Sequence, residues 1–112
     1  MIYLDYTANT PADPDVLDAY LAAERRYIAN PNSTHIAGQE ARAEMERVTQ
    51  SIAQHLGVQP AEIIYTSGAS EANNLALKGI AHASRHIGKH IISTQLEHSS
   101  VGVSLSALQQ QG

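Results

Sequence analysis

The sequence predicts an α/β domain in which helices alternate with the strands of a mainly parallel sheet. Two short segments rich in β-branched or aromatic residues, Ile63–Thr66 and His90–Thr94, are typical of buried strands. A helix predicted from about Ser70 to Ala83 lies between them, so the three form a βαβ unit with parallel strands and a right-handed crossover. Both strands are apolar on both faces, which favours a three-layer arrangement with helices on each side of the sheet.

The composition indicates a globular protein and excludes several classes of function. The chain has 112 residues, of which 43% are hydrophobic and 16% charged. Its net charge of −4 argues against nucleic acid as a direct partner. The absence of cysteine excludes disulfides, thiolate metal sites and sulfur nucleophiles within these residues. With no basic leader and no apolar run of membrane-spanning length, we expect a cytoplasmic protein without membrane contact.

The N-terminal third predicts an extended segment, a loop and a helix. Ile2–Leu4 is a short apolar run, followed by a polar loop that ends at Pro11. Asp13 as N-cap and Pro14 at the first helical position predict where the helix begins. The turn at residues 30–33 ends it. Its expected buried residues are the larger apolar ones, Val16, Leu17, Tyr20, Leu21, Tyr27 and Ile28.

The clearest helix in the sequence is predicted from about Ile36 to Leu56. Gly57 directly after it is typical of a C-terminal helix cap. Apolar residues recur at spacings of three and four, which places them on one face, expected to be buried. These residues are Ala37, Ala41, Met45, Val48, Ile52 and Leu56.

The predicted sheet is too small for a complete domain. A last helix begins near Glu97–Ser100, with Val101, Leu105 and Leu108 expected to face inward. One parallel pair and a short N-terminal strand cannot form a sheet buried on both faces. We therefore interpret residues 1–112 as the first, incomplete part of a single larger domain; the alternative is a complete small α/β domain.

The turn between the first predicted strand and its helix is a candidate anion site. Residues 66–71 read TSGASE, with Ser67 or Ser70 as the expected N-cap and Glu71 in the first turn. Backbone N–H groups at such a helix start favour an anion, most often a phosphate. No Walker lysine follows, and a single glycine is not a dinucleotide fingerprint. The alternative is an ordinary strand–turn–helix junction.

Histidines provide two further candidates. His82, His86 and His90 are four residues apart, a spacing compatible with metal binding, but Gly88 interrupts the helix and no carboxylate joins them. We interpret them as surface residues and predict no metal site. His98 follows the second predicted strand, at the sheet edge where parallel α/β proteins bind ligands.

Four motifs in the same order resemble the opening of the cysteine desulfurases, which are class V aminotransferases. They are YLDYTANTP at residues 3–11, NPNSTH at 30–35, TSGASEANN at 66–74 and EH at 97–98. The resemblance covers nearly the whole chain. The second and third motifs look like the branch that serves iron–sulfur cluster and nitrogenase assembly, and less like the selenocysteine branch.

The resemblance implies a fold, a cofactor and site residues. It implies the large domain of a fold type I enzyme with a mainly parallel sheet, working as a homodimer with pyridoxal 5′-phosphate, L-cysteine as substrate and a sulfur-acceptor protein. Ala69 and Ser70 would hold the cofactor phosphate. His98 would stack on the pyridine ring, help proton transfer and be catalytic. Thr10, Asn30 and His35 match substrate-pocket positions. The loop contains Asn9 where many relatives have threonine.

The chemistry of this family requires groups that these residues do not supply. The family's Schiff-base lysine, its acidic partner of the pyridine nitrogen and its mobile cysteine lie further along the chain. Lys78 and Lys89 match no lysine motif of the family, and there is no cysteine. We therefore predict that the 112 residues alone have no desulfurase activity. The alternative function is a non-catalytic short relative or split subunit that binds a partner.

Overall fold

The structure is a computed structural model that describes residues 2–112. It contains four α-helices and one short 3₁₀ helix among these residues: α1 Pro14–Arg26, α2 Ile36–Leu56, the 3₁₀ helix Pro60–Glu62, α3 Ala69–Ala83 and α4 Ser99–Gln111. The chain divides into two compact units, Met1–Ile63 and Ile64–Gly112, which are described separately.

Helix α1 begins as predicted and ends slightly earlier. The Asp13 side chain accepts a hydrogen bond from the backbone N–H of Asp15 at 2.9 Å, and Pro14 occupies the first turn. Tyr27 leaves the helical conformation with φ −107° and ψ 62°, so the helix ends at Arg26. Tyr27 and Ile28 therefore lie outside the helix, contrary to the prediction.

The predicted buried face of α1 is wrong for this chain. Val16 and Tyr20 are each 61% exposed, and Ile28 is 85% exposed. Leu17 and Leu21 are also exposed. Within the described residues no other helix packs on α1, since the helix pairs in contact are α3 with α4 and α2 with the 3₁₀ helix. The apolar residues that favour burial are present, but nothing in this unit covers them.

Helix α2 has the predicted bounds. Gly57 adopts the left-handed conformation with φ 68°, and its N–H bonds back to the carbonyls of Ala53 and Gln54, which ends the helix. Of the residues predicted to form the buried stripe, only Ala41 is fully buried. Ala53 is also buried but was not among the predicted residues. The stripe members Met45, Val48 and Leu56 are exposed. The spacing predicted the helix correctly but not the burial of its apolar face.

The start of α2 packs directly against the turn before it. A Cβ built on Gly38 would lie 2.6 Å from the Ser33 carbonyl oxygen and 2.9 Å from that of Asn30, closer than a carbon atom can approach. Arg42 adds a hydrogen bond from its Nε to the Pro31 carbonyl at 2.8 Å. The absence of a side chain at Gly38 therefore allows the turn to lie on the helix.

In the second unit, α3 and α4 lie side by side and run in the same direction. The Asn73 side chain donates to Ser100 Oγ at 2.8 Å near the start of both helices. At the other end, Lys89 Nζ donates to the Gly112 carbonyl oxygen. Ser104 is fully buried between them, and the inward-facing residues predicted for α4, Val101, Leu105 and Leu108, are half-buried.

The predicted strands are not confirmed, because residues 2–112 contain no β-strand. Ile63 has an extended conformation with φ −87° and ψ 121°. Within residues 2–112, no backbone–backbone hydrogen bond involves residues 90–94. A strand is defined by its pairing, and the described chain holds no neighbour for these segments. The two strands of the βαβ unit therefore stay a prediction, whereas the helix between them is present as α3.

Candidate functional site

Helix α3, which begins at Ala69 within the TSGASE motif, has no side-chain cap at its N-terminus. Gly68 is the N-cap residue and no side chain bonds to the first helical amides, so the expectation of Ser67 or Ser70 as N-cap is wrong. Gly68 is fully extended with φ 164°, which any residue can adopt. A Cβ built on Gly68 would meet nothing within 4 Å. The space in front of α3 is therefore open to a ligand.

The first amides of α3 are free to bind an anion. Among residues 2–112, no acceptor bonds to the backbone N–H groups of Ala69, Ser70 or Glu71, and the first helical bond runs from Ala72 N–H to the Gly68 carbonyl at 3.1 Å. The Ser70 hydroxyl also has no partner in the described chain. Three amides, one hydroxyl and the positive end of the helix dipole form a donor set suited to a phosphate.

Glu71, in the first turn of α3, is hydrogen-bonded to the residue before the N-cap. Its carboxylate Oε2 accepts from the Ser67 backbone N–H at 2.6 Å and from the Ser67 hydroxyl at 2.7 Å. The bond from the Ser67 backbone, followed by that from its hydroxyl, lowers the pKa of Glu71 below its ordinary value. The Glu71 carboxylate therefore accepts from Ser67 and leaves the first amides of α3 without an acceptor among residues 2–112.

His98 is the N-cap of α4. Its Nδ1 accepts from the backbone N–H of Ser100 at 3.2 Å and lies 2.9 Å from Ser100 Oγ. Imidazole is an unusual cap, since serine, threonine, aspartate and asparagine are the preferred residues. Nε2 has no hydrogen-bond partner among residues 2–112, which leaves one edge of the ring available.

Asn73 and Ser100 place the two predicted cofactor elements next to each other. Asn73 follows Ser70 by three residues, so the two occupy adjacent turns on one face of α3. Asn73 bonds to Ser100, and Ser100 bonds to His98. The start of α3, with Ala69 and Ser70, and the imidazole at the start of α4 therefore belong to the same end of this helix pair.

Sequence reasoning missed Asn73 and Ser100. Neither residue type signals a site by itself, and no local pattern connects positions 27 residues apart. The available signal was the helical spacing, which places Asn73 one turn beyond Ser70, and the position of Ser100 in the first turn of α4.

The predicted substrate-pocket residues lie in the other unit and have local structural roles. Asn30 Oδ1 accepts from the Asn32 backbone N–H at 2.8 Å, which stabilises the turn. His35 is the N-cap of α2, and its Nδ1 accepts from the Gly38 N–H at 3.2 Å. Thr10 is exposed, and its side chain has no hydrogen bond within the described residues. Their assignment to a substrate pocket stays a prediction.

A separate depression of about 800 Å³ lies at the opposite ends of α3 and α4. Its basic lining comes from His82, Arg85, Lys89 and His90, and none of the predicted cofactor residues contributes to it. Residues 2–112 contain no group of three or more His, Asp or Glu side chains placed to hold a metal ion. No helix in the same residues combines the length and apolarity needed to cross a membrane.

Comparison with known proteins shows the family. The family model for class V aminotransferases matches residues 2–112, so the chain belongs to this family. A human cysteine desulfurase is 48% identical over 112 residues, covering 99% of this chain and 24% of that protein. A mitochondrial cysteine desulfurase of Arabidopsis thaliana is 44% identical over 112 residues, with similar coverage of 99% and 25%.

A bacterial relative and a solved structure agree with this result. The cysteine desulfurase IscS of Dictyoglomus turgidum is 42% identical over 100 residues, covering 89% of this chain and 25% of that protein. The structure of a NifS-like protein superposes with a TM-score of 0.87 at 37% identity, covering 99% of this chain and 30% of the other. The fold type predicted from the motifs is thereby confirmed. The chain spans about a quarter of the length of these curated relatives.

Proposed function

We propose that this chain forms the N-terminal portion of a pyridoxal-phosphate-dependent cysteine desulfurase. Such an enzyme removes sulfur from L-cysteine, yielding alanine and an enzyme persulfide for iron–sulfur cluster or thio-cofactor assembly. Membership of the class V aminotransferase family and relatives named cysteine desulfurase support the proposal. The structural observation that carries it is the unpartnered row of amides and the Ser70 hydroxyl at the start of α3.

The described residues fit the cofactor at two points. Ala69 and Ser70 offer two amides and one hydroxyl to the phosphate, with no competing acceptor. His98 belongs to the same end of the helix pair, and its ring is exposed and so available for stacking on the pyridine ring. When bound, the cofactor supplies an electron sink that weakens bonds at the Cα atom of an amino acid. The chain's own contribution is to hold the phosphate and orient an imidazole.

The remaining catalytic groups come from outside these 112 residues. The sequence contains no cysteine to receive the sulfur, and Lys89 bonds to the Gly112 carbonyl far from the α3 start. The proposal includes a homodimer, a sulfur-acceptor protein and a parallel sheet in which residues 63–66 and 90–94 are strands. The exposed apolar face of α1 supports this, because additional chain would cover it.

A chimera tests the proposal. The segment of the Dictyoglomus turgidum IscS that aligns with this chain is replaced by these 112 residues, and the purified chimera is assayed for pyridoxal phosphate binding by absorbance and for alanine release from L-cysteine. We expect bound cofactor and alanine above the level given by free pyridoxal phosphate with L-cysteine. The 112-residue chain alone, assayed in parallel, is expected to release none.

Each outcome separates the two candidate functions. A folded chimera that binds no cofactor contradicts the phosphate site at the start of α3. A chimera that binds cofactor but releases no alanine supports the alternative, a non-catalytic relative or split subunit. Alanine release by the chain alone would contradict the prediction that it is inactive.

A further inference from the structure

The protonation of the His98 ring is determined by its hydrogen bonds. A backbone N–H can only donate, so the bond from Ser100 N to His98 Nδ1 requires an unprotonated Nδ1. A neutral imidazole carries one proton, which must then lie on Nε2. A neutral His98 can therefore cap α4 in this way only as the Nε2–H tautomer.

A hydrogen bond from the neighbouring helix orients the Ser100 side chain, since Asn73 Nδ2 donates to Ser100 Oγ at 2.8 Å. Because Nδ1 accepts from the Ser100 N–H and so carries no proton, its 2.9 Å contact with Ser100 Oγ is a bond from the serine hydroxyl to the ring. Ser100 is itself fixed, because the buried Ser104 hydroxyl donates to its carbonyl at 2.7 Å. The donors form a directed chain from Asn73 through Ser100 to the imidazole.

His35 shows what a histidine cap looks like without this support. Its Nδ1 also accepts from a backbone N–H at 3.2 Å, that of Gly38, but within residues 2–112 no hydroxyl hydrogen-bonds to the ring. The additional Asn73–Ser100 pair at His98 exceeds what capping a helix requires.

We propose that Asn73 and Ser100 are positioning residues that favour, in the neutral His98 imidazole, the tautomer with its proton on Nε2. Resting on the function proposed above, this makes His98 a hydrogen-bond donor to the bound cofactor or substrate through Nε2–H. It does not accept a proton at Nε2, because that atom already carries one and Nδ1 is held as an acceptor. The family resemblance implies a proton-transfer role for His98, and in this tautomer the ring can accept a proton only at Nδ1, with loss of the bond from the Ser100 N–H.

The tautomer is measured directly on the ¹⁵N-labelled 112-residue chain. Two-bond ¹H–¹⁵N correlation spectra, recorded at about pH 8 where histidine is neutral, distinguish a protonated from an unprotonated ring nitrogen. We expect His98 with a protonated Nε2 and an unprotonated Nδ1. Observation of the Nδ1–H tautomer for His98 would overturn the inference whatever the chain does as an enzyme.

Variants separate positioning from helix stability. Both Ser100→Ala and Asn73→Ala keep the Ser100 backbone N–H, but the first removes the hydroxyl donor to Nδ1 and the second removes the group that orients it. We therefore expect part of the His98 population to shift to the other tautomer, and Ser100→Thr is expected to restore the Nε2–H form. The His35 signals should stay unchanged in all three. Ser106→Ala, another serine replacement on α4, serves as the matched control. Far-ultraviolet circular dichroism establishes that each variant keeps its helices. If His98 in folded Ser100→Ala is unchanged, Ser100 has no positioning role.

The chimera provides the functional readout. Ser100→Ala is expected to lower kcat about fivefold to tenfold, the effect of one hydrogen bond, with KM unchanged. Ser100→Thr should recover kcat. A correct tautomer in an inactive chimera would contradict the proposed function and leave the tautomer standing, whereas the wrong tautomer in an active chimera would do the opposite.

Discussion

The Glu71 carboxylate receives two hydrogen bonds from Ser67, one from its backbone N–H at 2.6 Å and one from its hydroxyl at 2.7 Å. Glu71 therefore fixes the residue before the N-cap, while the amides of Ala69 and Ser70 stay without acceptors. One carboxylate thus shapes the start of α3 and leaves its donors available for an anion.

Removing this carboxylate should loosen the start of α3. In Glu71→Ala, both Ser67 donors lose their acceptor, so we expect faster hydrogen–deuterium exchange at residues 67–72 and unchanged exchange in α4. Glu46→Ala, a change at an exposed glutamate of α2, is the control and should leave residues 67–72 unaffected. Equal protection in both variants would show that the Ser67–Glu71 bonds do not hold the turn.

The same contact should make the turn sensitive to acid. Bonding to Ser67 lowers the pKa of Glu71 below the ordinary value of 4.5, so its contribution is fully present above that value. It is lost as the pH falls through the lower folded-state pKa. Exchange protection at Ser67, corrected for the intrinsic pH dependence, is expected to decline only below about pH 4.5. Glu71→Gln should remove this pH dependence.

The hydroxyl of Ser70 should contribute to phosphate binding. In the chimera, Ser70→Ala removes one donor to a charged group, and we expect pyridoxal phosphate to bind about tenfold or more weakly. Ser70→Thr keeps the hydroxyl and should bind nearly as well. Binding of pyridoxal, which lacks the phosphate, should not respond to Ser70→Ala. A similar loss for both ligands would place the hydroxyl away from the phosphate.

A side chain at Gly38 should disrupt the start of α2. The added Cβ of Gly38→Ala would lie 2.6 Å from the Ser33 carbonyl oxygen, so the turn and the helix must separate. We expect a cost of about 1–3 kcal/mol, measured from exchange protection of the first turn of α2. Gly79→Ala, where the Cβ meets nothing within 4 Å, is the matched control. It should stabilise α3 by about 0.5–1 kcal/mol.

The first helix provides a test of capping. Asp13→Ala removes the acceptor of the Asp15 N–H and is expected to cost about 1 kcal/mol of α1 stability. Asp18→Ala, within the same helix and away from the cap, should lower helicity much less. The helical signal in circular dichroism, followed with temperature, distinguishes the two variants.

The sequence predicted helices well where short-range signals determine them. Asp13 with Pro14 fixes the start of α1, and Gly57 fixes the end of α2, because each acts on its own backbone. Burial was predicted poorly, since it depends on what covers a face. Leu56 fits the apolar stripe of α2 but is 65% exposed. The predicted strands stay unconfirmed for a related reason, because strand pairing requires a neighbour.

The candidate site was predicted in part. The turn chemistry around Ser70 pointed to free helix amides, and they are present. The capping residue was wrong, because Ser67 bonds to Glu71 instead of capping α3. The roles of His35 and His98 as caps could not be read from propensities that favour small polar residues. The contact between Asn73 and Ser100 depends on how two helices pack, which no local pattern encodes.

Residues 90–94, which lie outside any helix or strand, have a consequence for biosynthesis. Ile92 is 87% exposed there, and no backbone–backbone hydrogen bond involves these residues. A β-prone segment of this kind can serve as a template for intermolecular aggregation. We therefore expect the nascent polypeptide to need chaperone protection on the ribosome.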